Sequence, residues 1–169
     1  MNKPASVRTQ SKSIVLILLS TIGLISGCSS NPMVDKANKS SKKLKIQSSL
    51  LCSDAHSYLN QVVGTGHCVS LIKVCSGAPH TSQWEPGLNV LSLPPGSIKE
   101  GSIIATFLNG KYPNKTGWHA AIYISHDKDG IWVWDQWLSQ AVHKRFIRYR
   151  TDNAAPANSA QEYHLVSFK

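Results

Sequence analysis

At 169 residues the chain has room for one globular domain of ordinary size and an appendage, and not for two full domains. Apolar residues make up 41% of it and charged residues only 16%, which supplies a packed interior and excludes a wholly disordered or collagen-like protein. Eighteen Lys and Arg against nine Asp and Glu give a net charge of +9, so nucleic acid, anionic membrane or an acidic polymer come up as partners, and the location of the charge decides among them.

The N-terminus takes most of that charge. Met1 to Lys12 carries Lys3, Arg8 and Lys12 with no acid, and Ile14 to Ile25 follows as the apolar run IVLILLSTIGLI. The run has the length of a secretory signal and falls short of the roughly 20 apolar residues that span a bilayer. Ile25-Ser26-Gly27-Cys28 then resembles the lipobox of bacterial lipoproteins. The resemblance implies removal of residues 1–27, acylation of Cys28 and, with Ser29 rather than Asp behind it, delivery to the periplasmic face of the outer membrane. Two or three acyl chains anchor a protein firmly, whereas one binds only marginally. Residues 28–50 are rich in Ser, Asn and Lys and cannot bury enough surface to offset the entropy of ordering them, so they read as a flexible basic tether. Of the +9, +3 lies in residues 1–27, +4 in 28–50 and only +2 in 51–169. The charge therefore speaks for export and for closeness to anionic lipid or wall polymer, and a nucleic-acid partner is not expected.

In the domain from Leu51 onward, Ser53 and Asp54 offer a helix cap, and Ala55, Tyr58, Leu59, Val62 and Val63 fall at helical spacing before Gly64-Thr65-Gly66 stops the run. A second helix is predicted from about His67 to Cys75, with Cys68, Leu71, Ile72 and Cys75 on one face and Gly77 where a C-terminal cap is wanted. Two short helices joined by a tight turn should lie antiparallel. Ala78 to Ser102, with four prolines, reads as an ordered loop carrying one short element. Five β-prone runs follow: Ile103 to Leu108, Trp118 to Ser125, Ile131 to Trp137, Val142 to Tyr149 and Tyr163 to Phe168. Asn109-Gly110 and Asp127-Lys128-Asp129-Gly130 are turn signals among them, and the latter predicts an antiparallel hairpin. Helices first and a strand meander afterward make an α+β domain.

With Cys28 assigned to lipid, Cys52, Cys68 and Cys75 remain, an odd number for an oxidising compartment. Antiparallel helices would bring Cys52 toward Cys75 and leave Cys68 free in the first turn of the second helix. There the helix dipole and unpaired N–H groups lower a thiol's pKa toward the reactive thiolate. The competing arrangement pairs Cys68 with Cys52 and buries Cys75. A cysteine nucleophile needs a base, and His119 opens the run His-Ala-Ala-Ile-Tyr-Ile beside a Gly-rich loop. The base needs a group that fixes its tautomer, and the next strand offers Asp135 and Gln136, which alternation points to opposite faces. A carboxylate between tryptophans is costly unless paired, which favours Asp135. The plainer readings are a satisfied semi-buried histidine for His119 and a carboxylate bonded to backbone in a turn for Asp135, and for a histidine taken singly the plainer reading is the safer one.

A cysteine at a helix start, Gly101-Ser102-Ile103-Ile104-Ala105-Thr106-Phe107, a His-Ala-Ala-Ile-Tyr strand and a polar residue on the following strand together resemble the NlpC-type and CHAP-type cysteine hydrolases of bacterial cell walls. The resemblance covers most of Tyr58 to Trp137, and exported bacterial amidase toxins are similar in the same way. It implies a papain-like core with the cysteine helix on an antiparallel sheet, Cys68 as nucleophile, His119 as base and Asp135 or Gln136 as orienter. Implied too are peptidoglycan peptides as substrate, a thioester intermediate, and oxyanion donors from the Cys68 N–H and a first-helix side chain such as Tyr58 or Gln61. Many such enzymes carry Gly-Asp where this chain has Gly101-Ser102.

No metal or cofactor is expected, because zinc would need scattered ligands such as His56, His67, Cys75 and His119 without supporting spacing. Trp84, Trp118, Trp132, Trp134 and Trp137 are candidates for a saccharide or peptide groove, although strand tryptophans are mostly core. Two rivals to a wall hydrolase stand beside it: a non-catalytic lipoprotein that binds peptidoglycan or a protein partner with the same fold, and an antibacterial amidase effector.

Overall fold

Helix α1 (Cys68–Ser76) is the one α-helix among the described residues of the structure, a computed structural model that describes residues 50–169. The signal segment, Cys28 and the tether lie outside the described residues. Helix α1 buries Leu71 and Ile72 completely, about 1.5–3 kcal/mol each. It ends as its sequence requires, with Gly77 in the left-handed conformation and its N–H on the Lys73 carbonyl.

The first predicted helix is corrected. Ala55–Tyr58 makes a single 3-10 turn, and the Asp54 side chain makes no capping bond. Asn60 then adopts a left-handed φ of 63°, and the chain runs extended beside the sheet, with Asn60 N–H on the Val142 carbonyl (2.9 Å) and Val142 N–H on the Gln61 carbonyl (3.0 Å). Backbone bonds to a strand thus displace a weakly periodic helix, and Leu59 and Val62, expected on its buried face, are exposed. The N-terminal helices of the expected architecture reduce to one.

Cys52 nonetheless bonds to Cys75, across a Cα–Cα distance of 5.2 Å. What brings them together is not a helix pair. The Cys52 N–H bonds to the Gly101 carbonyl at 2.9 Å and Leu51 bridges Ser102, which seats the segment where α1 terminates. Gly101 has a φ of +88°, and a Cβ there would lie 2.6 Å from the Cys52 carbonyl oxygen, so only glycine fits.

The sheet is antiparallel with six strands. In chain order they are β1 (Trp84–Asn89), β2 (Ile103–Thr106), β3 (Ala120–Asp127), β4 (Gly130–Trp137), β5 (Gln140–Arg148) and β6 (Tyr163–Phe168), and in space β1-β6-β2-β3-β4-β5. β2 to β5 form the meander, and β6 returns to lie between β1 and β2. The short element of the proline-rich loop is β1, an edge strand, which is where Pro86 is tolerated. At the β3–β4 turn the Asp127 carboxylate accepts from the N–H groups of Asp129 (2.8 Å) and Gly130 (3.1 Å).

Alternation divides the core between the two faces of the sheet. Ile103, Ala105, Ile122, Val142 and Val166 pack with α1, Trp84 and Ala55 on one side. Ile104, Ala121, Tyr123, Ile131, Val133, Ile147 and Tyr163 form the other side with Val90 and Ala160 from two 3-10 turns. The result is a mixed α+β arrangement in which α1, the one α-helix among the described residues, starts at Cys68.

Candidate active site

Cys68 is the first residue of α1, and His67 before it is extended, so the amide of Cys68 has no partner within the helix. Its thiol is free and half-buried. His119 stands immediately before β3, and its backbone is pinned to β2: its N–H donates to Thr106 Oγ1 (3.0 Å) and its carbonyl accepts from the Thr106 N–H (3.0 Å). The His119 side chain is buried, with Nε2 3.0 Å from Asp135 Oδ2. Nε2–H therefore donates to the carboxylate, and in the neutral ring Nδ1 is the unprotonated nitrogen.

The electrostatics follow from this geometry. Burial pushes the Cys68 thiol up, but the hydrogen bond and charge of His119, the Tyr112 hydroxyl and the Ala120 N–H lower it further than burial raises it, to about 7. Burial pulls the His119 imidazole down, and the hydrogen bond to Asp135 with the bond and charge of Cys68 raises it to about 9. Between those values a thiolate–imidazolium pair is the favoured form, an arrangement that can supply an activated nucleophile and an acid for a leaving amine.

Asp135 and Gln136 separate as alternation requires. Asp135 is fully buried, and its Oδ2 accepts from His119 Nε2 and from Arg145 Nε (2.8 Å), with Arg145 Nη2 in ion-pair contact at 2.7 Å. Its Oδ1 has no hydrogen-bond partner among the described residues, and His143 Nε2 stands 3.6 Å away. Gln136 does not reach His119. Its Oε1 accepts from the Val63 N–H (3.0 Å) and its Nε2 donates to the carbonyls of Val63 (2.8 Å) and His67 (2.9 Å), which fixes the backbone leading into Cys68. Gln61, expected as an oxyanion donor, is exposed and donates its amide to the Ser57 carbonyl at 2.9 Å, and Tyr58 packs against the helix-side core.

Three participants escaped the sequence. Tyr112 Oη lies 3.5 Å from Cys68 Sγ, and nothing in Lys111-Tyr112-Pro113 announces it. Arg145 clamps Asp135 and reaches Asn158 Oδ1 (3.1 Å) with Nη1; in the β4–β5 register it stands opposite Val133, while His143 is opposite Asp135, so the clamp depends on a pairing that the sequence did not fix. Trp137, named only as a groove candidate, stacks edge-on with His119 and His143 and lies under the Arg145 guanidinium (5.5 Å), covering the buried charges. Trp84 is core and Trp132 is exposed. As for metals, the one three-residue group of suitable side chains among the described residues is Cys52, Asp54 and Cys75, and both sulfurs are in the disulfide.

A family model described as Domesticated amidase effector 2 matches residues 42–166. The chain belongs to this family. Among relatives, the Type VI secretion amidase effector 2 protein of Salmonella typhi is 38% identical over 118 residues, 62% of this chain and 87% of that protein. Domesticated amidase effector 2 of Ixodes scapularis is 42% identical over 104 residues, 58% of this chain and 71% of that one. Among solved structures, Type 6 secretion amidase effector 2 (Tae2) superposes with a TM-score of 0.60 at 34% identity, over 70% of this chain and 94% of that one. Membership in the domesticated amidase effector 2 family makes the chain an amidase; the broader likeness to NlpC-type and CHAP-type enzymes is narrowed to this group.

Proposed function

We propose that the protein is a papain-like cysteine amidase that cleaves amide bonds in the peptides of peptidoglycan, with Cys68 as nucleophile, His119 as general base and acid, and Asp135 as the group that orients His119. The observation that carries the reading is a free thiol at a helix N-terminus, electrostatically coupled to an imidazole whose Nε2 is held by a buried carboxylate at 3.0 Å. The Cys68 thiolate attacks the amide carbon, forming an S–C bond as the carbonyl π pair moves to oxygen. When that oxyanion collapses, the C–N bond breaks and the imidazolium proton of His119 passes to the amine. Neutral His119 then takes a proton from water, the hydroxide adds to the thioester carbon, and C–S cleavage releases the carboxylic acid and restores the ion pair.

Peptidoglycan as substrate is supported by the signal segment and the wall-facing address that the sequence implies, and by the amidase names of the relatives. The mature chain is read as starting at acylated Cys28, followed by a tether to residue 50 that lets residues 51–169 reach the wall from the outer membrane. In the test, purified sacculi are incubated under conditions that keep the disulfide with the wild type and with Cys68→Ala, and the released peptides are identified by mass spectrometry. Muropeptides cut at an amide by the wild type alone support the reading, and identical product profiles refute it. Incorporation of a clickable fatty acid, lost in Cys28→Ala, tests the anchor separately.

A further inference from the structure

The Cys68 thiolate has a second polar neighbour that the nucleophile–base–orienter arrangement does not use. Tyr112 Oη lies 3.5 Å from Sγ, on the chain between β2 and β3. Its position is built rather than incidental. Asn109 and Gly110 both take positive φ (50° and 73°), and Leu108 and Lys111 exchange backbone bonds of 2.9 and 3.0 Å, a tight turn that returns the chain next to β2. Pro113 restricts the backbone immediately after. The ring is seated between Trp84 (5.3 Å between centroids) and Phe107 (6.5 Å, edge-on) and packs against the helix-side core, so the hydroxyl is held while only its hydrogen rotates.

We propose that Tyr112 is a catalytic residue, the side-chain half of the oxyanion hole, acting with the backbone N–H of Cys68. The inference rests on the cysteine-amidase reading above and deepens it. When Sγ bonds to the amide carbon, the negative charge moves from sulfur to an oxygen two bonds away. A donor that already faces the sulfur can follow the charge by turning its O–H, and such donors work at about 2.7–3.1 Å from the oxyanion. The phenol is suited to this because burial, and then the charge and hydrogen bond of the Cys68 thiolate, raise its pKa well above the ordinary tyrosine value, so the hydroxyl keeps the proton it must donate. No proton is transferred from Tyr112: its O–H donates a hydrogen bond to sulfur in the resting enzyme, to oxygen in the tetrahedral intermediate, and to sulfur again after C–S cleavage. The first-segment side chains proposed for the role from sequence are otherwise engaged, Gln61 at the Ser57 carbonyl and Tyr58 packed against the helix-side core.

Tyr112→Phe keeps the ring and its packing and removes the donor, and two reactions of one sulfur then discriminate. Acylation by an activated p-nitrophenyl ester passes through an oxyanion; alkylation by iodoacetamide does not. At pH 8.5, on the mature chain, the acylation rate constant should fall 10²–10³-fold, the size of losing one oxyanion donor, with KM within about twofold, while alkylation changes less than about threefold. A circular-dichroism melt matching the wild type confirms that the variant is folded; if it is not, Tyr112→3-fluorotyrosine, which retains the donor, must restore acylation. Acylation of Tyr112→Phe within threefold of wild type overturns the proposal, and so does an equal fall in both reactions, which would make Tyr112 only a thiol-orienting group. If the wild type is acylated normally but leaves sacculi intact, the peptidoglycan reading fails and Tyr112's role stands. If the wild type is not acylated at Cys68 at all, both fail.

Discussion

Asp135 is the most exposed point of the site to mutation, although it is the most deeply buried. Its carboxylate has no solvent contact, one oxygen without a hydrogen-bond partner among the described residues, and on the other oxygen two donors, His119 Nε2 and Arg145 Nε, with the rest of the guanidinium in ion-pair contact. Arg145→Met removes the Nε bond and the guanidinium charge beside the carboxylate while keeping most of the aliphatic volume under Trp137. Breaking a buried ion pair from one side costs about 3–5 kcal/mol, because the stranded charge keeps its desolvation penalty. The reverse change is asymmetric. In Asp135→Asn the guanidinium keeps its contacts to Asn158 Oδ1 and the Ala157 carbonyl and has a side chain 19% exposed, so the loss should be nearer the ~1–3 kcal/mol of a disturbed buried hydrogen bond. Urea denaturation at pH 7.5 gives both values, and the double variant closes the cycle with a coupling of about 1–3 kcal/mol. A loss below about 1 kcal/mol for Arg145→Met, or a larger loss for Asp135→Asn, would refute the view that the arginine compensates the burial of Asp135.

The thiol at about 7 and the imidazole at about 9 set a pH window for activity. With Cys68 as the proposed nucleophile and His119 as the proposed acid, the first is protonated below the lower value and the second deprotonated above the upper one, so kcat/KM should be bell-shaped with limbs near those values; Asp135→Asn removes a bond that holds the imidazolium proton and should move the alkaline limb down. The disulfide closes a loop with a sequence separation of 23 that contains Cys68, and Cys52→Ala with Cys75→Ala should cost about 3 kcal/mol, read as a lower urea midpoint. Gln136→Leu strands the backbone groups of Val63 and His67 that the amide satisfies, so it should cost roughly 3 kcal/mol and slow ester acylation, even though its side chain does not contact His119. A stable, fully active Gln136→Leu would show that water replaces the amide there.

What the sequence determined by itself was whatever depends on near neighbours in the chain. Helix α1 with its Gly77 cap, the hairpin at Asp127-Lys128-Asp129-Gly130 and the opposite facing of Asp135 and Gln136 follow from spacing, turn chemistry and strand alternation, which are local rules. The same rules failed at Ala55 to Val63, where a helical pattern of moderate strength met a strand edge offering backbone bonds, and the edge prevailed. They were silent on Tyr112 and on the clamp of Arg145, because those side chains reach the site only after β2, β3, β4 and β5 have paired. Tertiary structure also chose between two cysteine pairings that the spacing left open, since it is the bond from Cys52 to Gly101, 49 residues away, that carries Cys52 to Cys75 and leaves Cys68 free. A candidate nucleophile and a candidate base can be proposed along a chain; the groups packed around them are set by contacts that exist only in three dimensions.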